Sequence, residues 1–303
     1  MPTVNQRISR PRAMSINGVD AGGMMSATIQ EGYDNILRSS PDGLEVPLRD
    51  REIQFCRGTI ITQDWVEAIN LLTGTLGTYI FYERKSGVAE ATGFIKHTIT
   101  NPVIHRINFT EKKGGYATIS FDFECRAADP TKTIADMHAL TDSLAAPSYI
   151  AAARGGFRVK SAVFATTINI YHIAGFNFAI ALGLIKECND ADIGYTCVDA
   201  LLDGLTANGS INFQDATITG AALLAQRLVT HAKGTLTLTL TQGQGAVAKV
   251  ITIAGVEFDN ANQTSDMNAP FTAFTVNFEV ANDPTTQLTL AGTNKIITIV
   301  DFV

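Results

Sequence analysis

Charge is what this sequence is shortest of: Asp, Glu, Lys and Arg together make up only 17% of its 303 residues. Acidic residues outnumber basic ones in each half, and the formal net charge is −6. A chain with no basic surplus neutralises few phosphates, which excludes tight nucleic-acid binding driven by counterion release. Cysteine is scarce too, and Cys56, Cys125, Cys188 and Cys197 form no CxxC pair. Buried free thiols in a reducing compartment are the expected state, with a Cys188–Cys197 disulfide as the lesser alternative. His97, His105, His138, His172 and His231 show neither HxH nor HExxH spacing, so no metal site is expected. There is no GxSxG, and Gly243-Gln244-Gly245 lacks a third glycine and opens no helix, so it reads as a turn rather than a phosphate loop. No carboxylate pair stands out from the solvated background. The sequence points to no enzyme and to no cofactor.

Long apolar runs are missing as well. Residues 161–185 carry no formal charge, but Asn169, His172 and Asn177 interrupt them and apolar residues alternate with polar or small ones. That is strand patterning rather than a bilayer span, and no membrane association is expected. Arg7, Arg10 and Arg12 are not followed by the apolar stretch of an export signal. Residues 1–12 read as a flexible basic terminus or as an arm that docks on a neighbouring subunit.

What the sequence does contain is a repeat. Gly58-Thr59-Ile60-Ile61-Thr62-Gln63-Asp64 reads as a strand that turns into an amphipathic helix, with Asp64 as N-cap and Trp65, Ile69 and Leu72 on one face. The statement returns as Gly209-Ser210-Ile211-Asn212-Phe213-Gln214-Asp215, with Asp215 as the second N-cap before a run through Leu223 and Leu224. Upstream, residues 23–29 align with 175–181, which matches Ser26 to Phe178. Downstream, residues 117–125 align with 272–280, and each of these strands is followed by Asp-Pro, at Asp129-Pro130 and Asp283-Pro284. Four matches in one order mean a duplication.

Each copy begins with a hairpin: residues 24–29 and 45–53 around the turn Ser39-Ser40-Pro41-Asp42-Gly43, and residues 176–184 turning at Asn189-Asp190-Ala191-Asp192. The strand into the helix follows, then strands over 77–84, 104–109 and 117–125, or 234–241, 250–258 and 271–280. Leu alternating with Thr over 234–241 is the period-two signature of a half-buried strand. Ile134, Met137, His138, Leu140 and Leu144 have helical spacing, which predicts a linking helix over 131–144. Ile296, Ile297, Ile299, Val300 and Phe302 predict an apolar terminal strand that pairs with its own domain or with a neighbour's sheet edge. The expected fold is mainly β: two tandem β-sandwich or barrel domains, each with a long hairpin and one packed α-helix. Residues 1–130 form the first with its N-terminal arm, 131–147 the helical linker, and 148–303 the second with its C-terminal strand.

The early hairpin, the strand-to-helix element of residues 58–72 and the closing strand of 117–125, each present twice, make the chain resemble the tail tube proteins of tailed bacteriophages, whose fold also occurs in Hcp-like secretion tubes. The resemblance is one of pattern over nearly the whole chain. It implies tail-tube-type domains, with six barrels in a ring, early hairpins joined into an inner β-barrel, and rings stacked into a conduit for DNA. With two barrels per chain, it implies a homotrimer forming a pseudo-hexameric ring in the virion tail, assembled in the bacterial host cytoplasm. Implied partners are the chain itself, the terminator, distal tail and tape measure proteins, and passing DNA in transient, non-specific contact. On this reading the hairpins line the lumen, with Glu31, Asp34, Asp190 and Asp192 as candidate acidic contributors. Two rivals are another ring component of the tail, such as a hub or terminator, and a two-domain module that binds carbohydrate. The second fits poorly, because the only tryptophan lies on a predicted helix face instead of an aromatic platform.

Overall fold

A computed structural model describes residues 11–16, 19–21, 24–38, 48–63, 78–85, 87–89, 91–112, 115–126, 134–147, 157–165, 168–188, 197–215, 233–242, 247–264, 273–282, 288 and 295–301. The first half contributes β1 (Pro11–Ile16), β2 (Val19–Ala21), β3 (Met24–Arg38), β4 (Leu48–Thr62), β5 (Thr78–Arg84), β6 (Phe94–Thr100), β7 (Pro102–Lys112) and β8 (Thr118–Cys125). A one-turn helix α1 (Ile134–Met137) runs straight into β9 (His138–Leu144). The second half contributes β10 (Phe157–Phe164), β11 (Ile168–Cys188), β12 (Cys197–Asp215), β13 (Gly234–Gln242), β14 (Val247–Thr264), β15 (Ala273–Val280) and β16 (Ile297–Asp301).

Strand patterning decides this architecture. β8 buries every second residue, and Ile119, Phe121 and Phe123 are fully buried. β13 does the same with Leu236, Leu238 and Leu240. In the second half, β10-β13-β14-β15-β12-β11 pair in that order and β11 pairs back to β10, closing a six-stranded barrel. Closure removes the sheet edges that a flat antiparallel sheet would expose. β16 adds to β14.

The first half follows the same pairing scheme with two interruptions. β1 pairs β5 as β10 pairs β13, β8 pairs β4 as β15 pairs β12, and β3 pairs β4 as β11 pairs β12. β2 followed by β3 stands for the single strand β11, since β2 pairs β1 as the start of β11 pairs β10. β6 followed by β7 stands for β14; the break falls at Asn101, whose φ of 49° lies in the left-handed region that asparagine tolerates. Even the bulges recur: Pro11/Ala13 with Val159/Ser161, Met24/Ser26 with Ile173/Gly175, and Ile104/Arg106 with Phe258/Asn260. β1, β5, β6 and β9 lie in a separate five-stranded sheet with β2, and Tyr79 on β5 packs edge-on against Phe121 and Phe123 of β8 at 5.9 and 6.0 Å.

Gly58 and Gly209 mark the same place in the two halves. A Cβ at Gly58 would collide with the Thr28 carbonyl oxygen and the Phe123 ring, and one at Gly209 with the Asn177 carbonyl oxygen and the Phe278 ring. Each glycine leaves room for the phenylalanine of the neighbouring strand, with which it is in register.

Several expectations change. The helix expected over 131–144 is one turn long, and His138–Leu144 is strand β9, paired with β6 as β16 is paired with β14. The helical spacing there coincides with a free sheet edge, and the edge wins; five of the strand's seven residues are exposed. The hairpin strand at 45–53 and the strand at 58–63 are one continuous strand, β4. Register equates Phe178 with Ile29 instead of Ser26, because each stands opposite the glycine that recurs in its half, Gly209 or Gly58. Strands β1, β6 and β10 were not expected. Asp215 is the last residue of β12, whereas Asp64 and the helices expected after both lie outside the described residues, as do residues 1–10.

Candidate assembly interface

The two halves meet edge to edge. β7 pairs antiparallel with β11 from Lys112↔Gly175 to Arg106↔Ala181, so one sheet runs from the closed barrel into the first half. Phe109 and Phe178 are register partners at this seam, with ring centroids 5.9 Å apart, and Phe278 stacks on the far side of Phe178 at 6.0 Å. Phe109, Phe178, Ile107 and Ile180 are all essentially fully buried. Four large apolar side chains buried at one seam contribute on the order of 1.5–3 kcal/mol each.

A carboxylate fastens the seam to a third strand. Glu111 on β7 is only 9% exposed and accepts a hydrogen bond from the Val159 amide of β10 at 2.6 Å. Burial pushes its pKa up to about 7, opposed by the Val159 hydrogen bond and the Arg158 guanidinium.

A second polar cluster ties β9 to the early hairpin. Glu83 Oε2 lies 3.1 Å from His97 Nε2, His97 Nδ1 lies 3.1 Å from His138 Nε2, and His138 Nδ1 lies 2.5 Å from Glu31 Oε1. His97 stacks between Phe81, at 4.3 Å, and His138, at 5.3 Å. The three contacts link Glu83, His97, His138 and Glu31 in series, with donor and acceptor in each set by the ring tautomers. Nearby, the Gln54 side-chain oxygen accepts from the Ile134 amide at 3.0 Å, holding the start of α1 against β4.

Of the acids expected along a lumen, Glu31 lies on β3 with its side chain 39% exposed and engaged by His138. Asp34 lies on β3 opposite Ile53, and Asp190 and Asp192 lie outside the described residues. Cys56 and Cys125 are buried free thiols. The hydrogen bond that the Cys125 thiol makes to Cys56, together with burial, pushes the Cys125 thiol up. Cys188 and Cys197 are register partners near the end of the β11–β12 hairpin. Among the described residues, no group of three or more His, Cys, Asp or Glu is placed to hold a metal ion, and no helix is long and apolar enough to cross a membrane. Sequence reasoning missed both the β7–β11 seam and the Glu–His–His–Glu chain. The seam joins strands far apart in sequence, and the chain collects residues from four strands.

No protein-family model matches this sequence, and no curated protein matches it.

Proposed function

We propose that this chain is a structural subunit of a bacteriophage tail tube, a homotrimer whose pseudo-hexameric rings stack into a conduit for DNA. The observation that carries the reading is the repeated pairing scheme, joined to its own copy by an edge-to-edge seam. A unit that docks head-to-tail onto an equivalent unit generates a ring when the rotation closes and a filament when it does not. Closure would also cover the edges of the long hairpins β3–β4 and β11–β12. In this arrangement the hairpins face the lumen. A net charge of −6 lets DNA slide, where a basic wall would hold its phosphates. Glu31 and Asp34 would supply part of that character, Glu31 while in contact with His138. The partners are further copies of the chain and, at the ends and inside the tube, the terminator, distal tail and tape measure proteins.

Negative-stain electron microscopy of the concentrated protein tests this. Stacked rings or tubes are the expected result. Single rings that never stack would favour a hub or terminator, and monomers would overturn the ring reading and revive a binding module. Lysines placed along the hairpins are expected to slow DNA ejection; an unchanged ejection rate would sink the electrostatic part.

A further inference from the structure

The seam inside the chain has an unused counterpart. By the pairing registers, the β11 residues Gly175–Ala181 correspond to residues 26–32 of β3, because Phe178 and Ile29 each face the matching glycine of the next strand. The β7 residues Arg106–Thr110 correspond to residues 260–264 of β14, because both follow the same bulge and pair with the same positions of β8 and β15. β7 and β11 use these edges on each other. Among the described residues, no strand pairs with the corresponding edge of β3, nor with β14 beyond the end of its ladder to β13 at Val256. In the long sheet the two edges are separated by β15, β12, β11, β7, β8 and β4, so they are placed to meet in different chains.

We propose that β3 of one chain pairs antiparallel with the far end of β14 of a second copy, in the register of the internal seam. The inference rests on the ring reading above and gives it a specific contact. Asn177↔Thr110 becomes Thr28↔Thr264, and the ladder continues as Ile29↔Gln263, Gln30↔Asn262, Glu31↔Ala261 and Gly32↔Asn260. The contact is heterologous, so every chain offers one donor edge and one acceptor edge, and each added chain contributes one internal and one external seam. The chemistry differs in the way an exposed edge requires. The internal seam matches Phe109 with Phe178 and Ile107 with Ile180; the external one matches Gln263 with Ile29 and Ala261 with Glu31. A polar edge stays soluble until it is paired, and main-chain hydrogen bonds then supply the affinity, as in strand addition. Alanine opposite Glu31 leaves room for the contact with His138 that already occupies that carboxylate.

Cysteine cross-linking of the full-length protein tests this. The double variant Thr28→Cys/Thr264→Cys is treated with diamide under assembly conditions and run on a non-reducing gel, beside both single variants and the off-register Thr28→Cys/Asn260→Cys. All variants are first checked for an unchanged β-sheet circular dichroism spectrum. The expected result is a reducible ladder of linked chains in the in-register variant, at least tenfold stronger than in the off-register one and absent from the singles. Rings visible by electron microscopy without that ladder overturn this seam and leave the ring reading intact. Monomers by both methods overturn the two together. The point at which the ladder stops counts the chains in a closed ring.

Discussion

The two halves share a pairing scheme but fill one position of it with opposite chemistry. In the first half Glu31, Glu83, His97 and His138 form a hydrogen-bonded chain; by register the same four places in the second half are Ile180, Leu240, Ile251 and Ile297, all buried. The backbone geometry therefore does not require polarity there. Where the barrel is closed by continuous strands, four aliphatic side chains fill the space and gain transfer free energy. Where the scheme is interrupted between β2 and β3 and at Asn101, a polar chain clamps β9 and β6 to the hairpin strand β3. Directional bonds fix one arrangement where packing alone leaves more freedom, at a cost in desolvation.

The largest effect is expected at the feature the halves share. Gly58→Val and Gly209→Val should each cost about 4 kcal/mol or more, since the new side chain meets a backbone carbonyl and a phenylalanine ring at once. Thermal melts should show similar losses at both sites; a large loss at one and a small one at the other would break the equivalence. Next comes the seam. Phe178→Ala removes the centre of the Phe109–Phe178–Phe278 stack and should cost about 3–5 kcal/mol by denaturant titration, whereas Ile29→Ala, half-buried at the corresponding strand edge, should cost less.

The polar chain offers a test in which the sign is informative. His138→Ala leaves Glu31 and His97 without their partner and should destabilise by about 1–3 kcal/mol. Converting the whole set to its counterparts, Glu31→Ile with Glu83→Leu, His97→Ile and His138→Ile, should instead be neutral or stabilise by about 1–4 kcal/mol. Loss of stability in the fourfold variant would mean that the clamp does more than occupy space.

The smallest effect is the pH dependence of Glu111. Its pKa is raised from 4.5 to about 7, so the folded chain holds a proton there that the unfolded chain has released. The protonated carboxyl favours folding below the ordinary value, and that contribution is lost as pH rises from about 4.5 through about 7. Glu111→Gln keeps an oxygen for the Val159 amide and removes the buried charge. It should match the natural protein near pH 4 and exceed it near pH 8 by about 2 kcal/mol; equal stability at both pH values would contradict the assignment.

The repeat in the strand pattern was legible because glycine at 58 and 209 and the alternating strands are local facts, fixed by the pleat and by one close approach. β9 was not. His138, Ala139 and Leu140 stand where the second half has Ile297, Thr298 and Ile299, and only the shared ladder onto β6 or β14 equates them. The hydrogen-bond chain through His97 and His138 spans 107 residues between Glu31 and His138 and depends on register alone. The seam was hidden for the same reason: nothing in the pattern of β7 says which edge it will meet. Local patterning specifies strands, and long-range pairing places them together.

The proposed assembly requires one chain to supply two equivalent units of a ring. Native mass measurement of rings whose lobes have been counted by electron microscopy tests it most directly. Three chains in a ring of six lobes is the predicted result, whereas six chains in six lobes, or a chain that stays monomeric at high concentration, would contradict it.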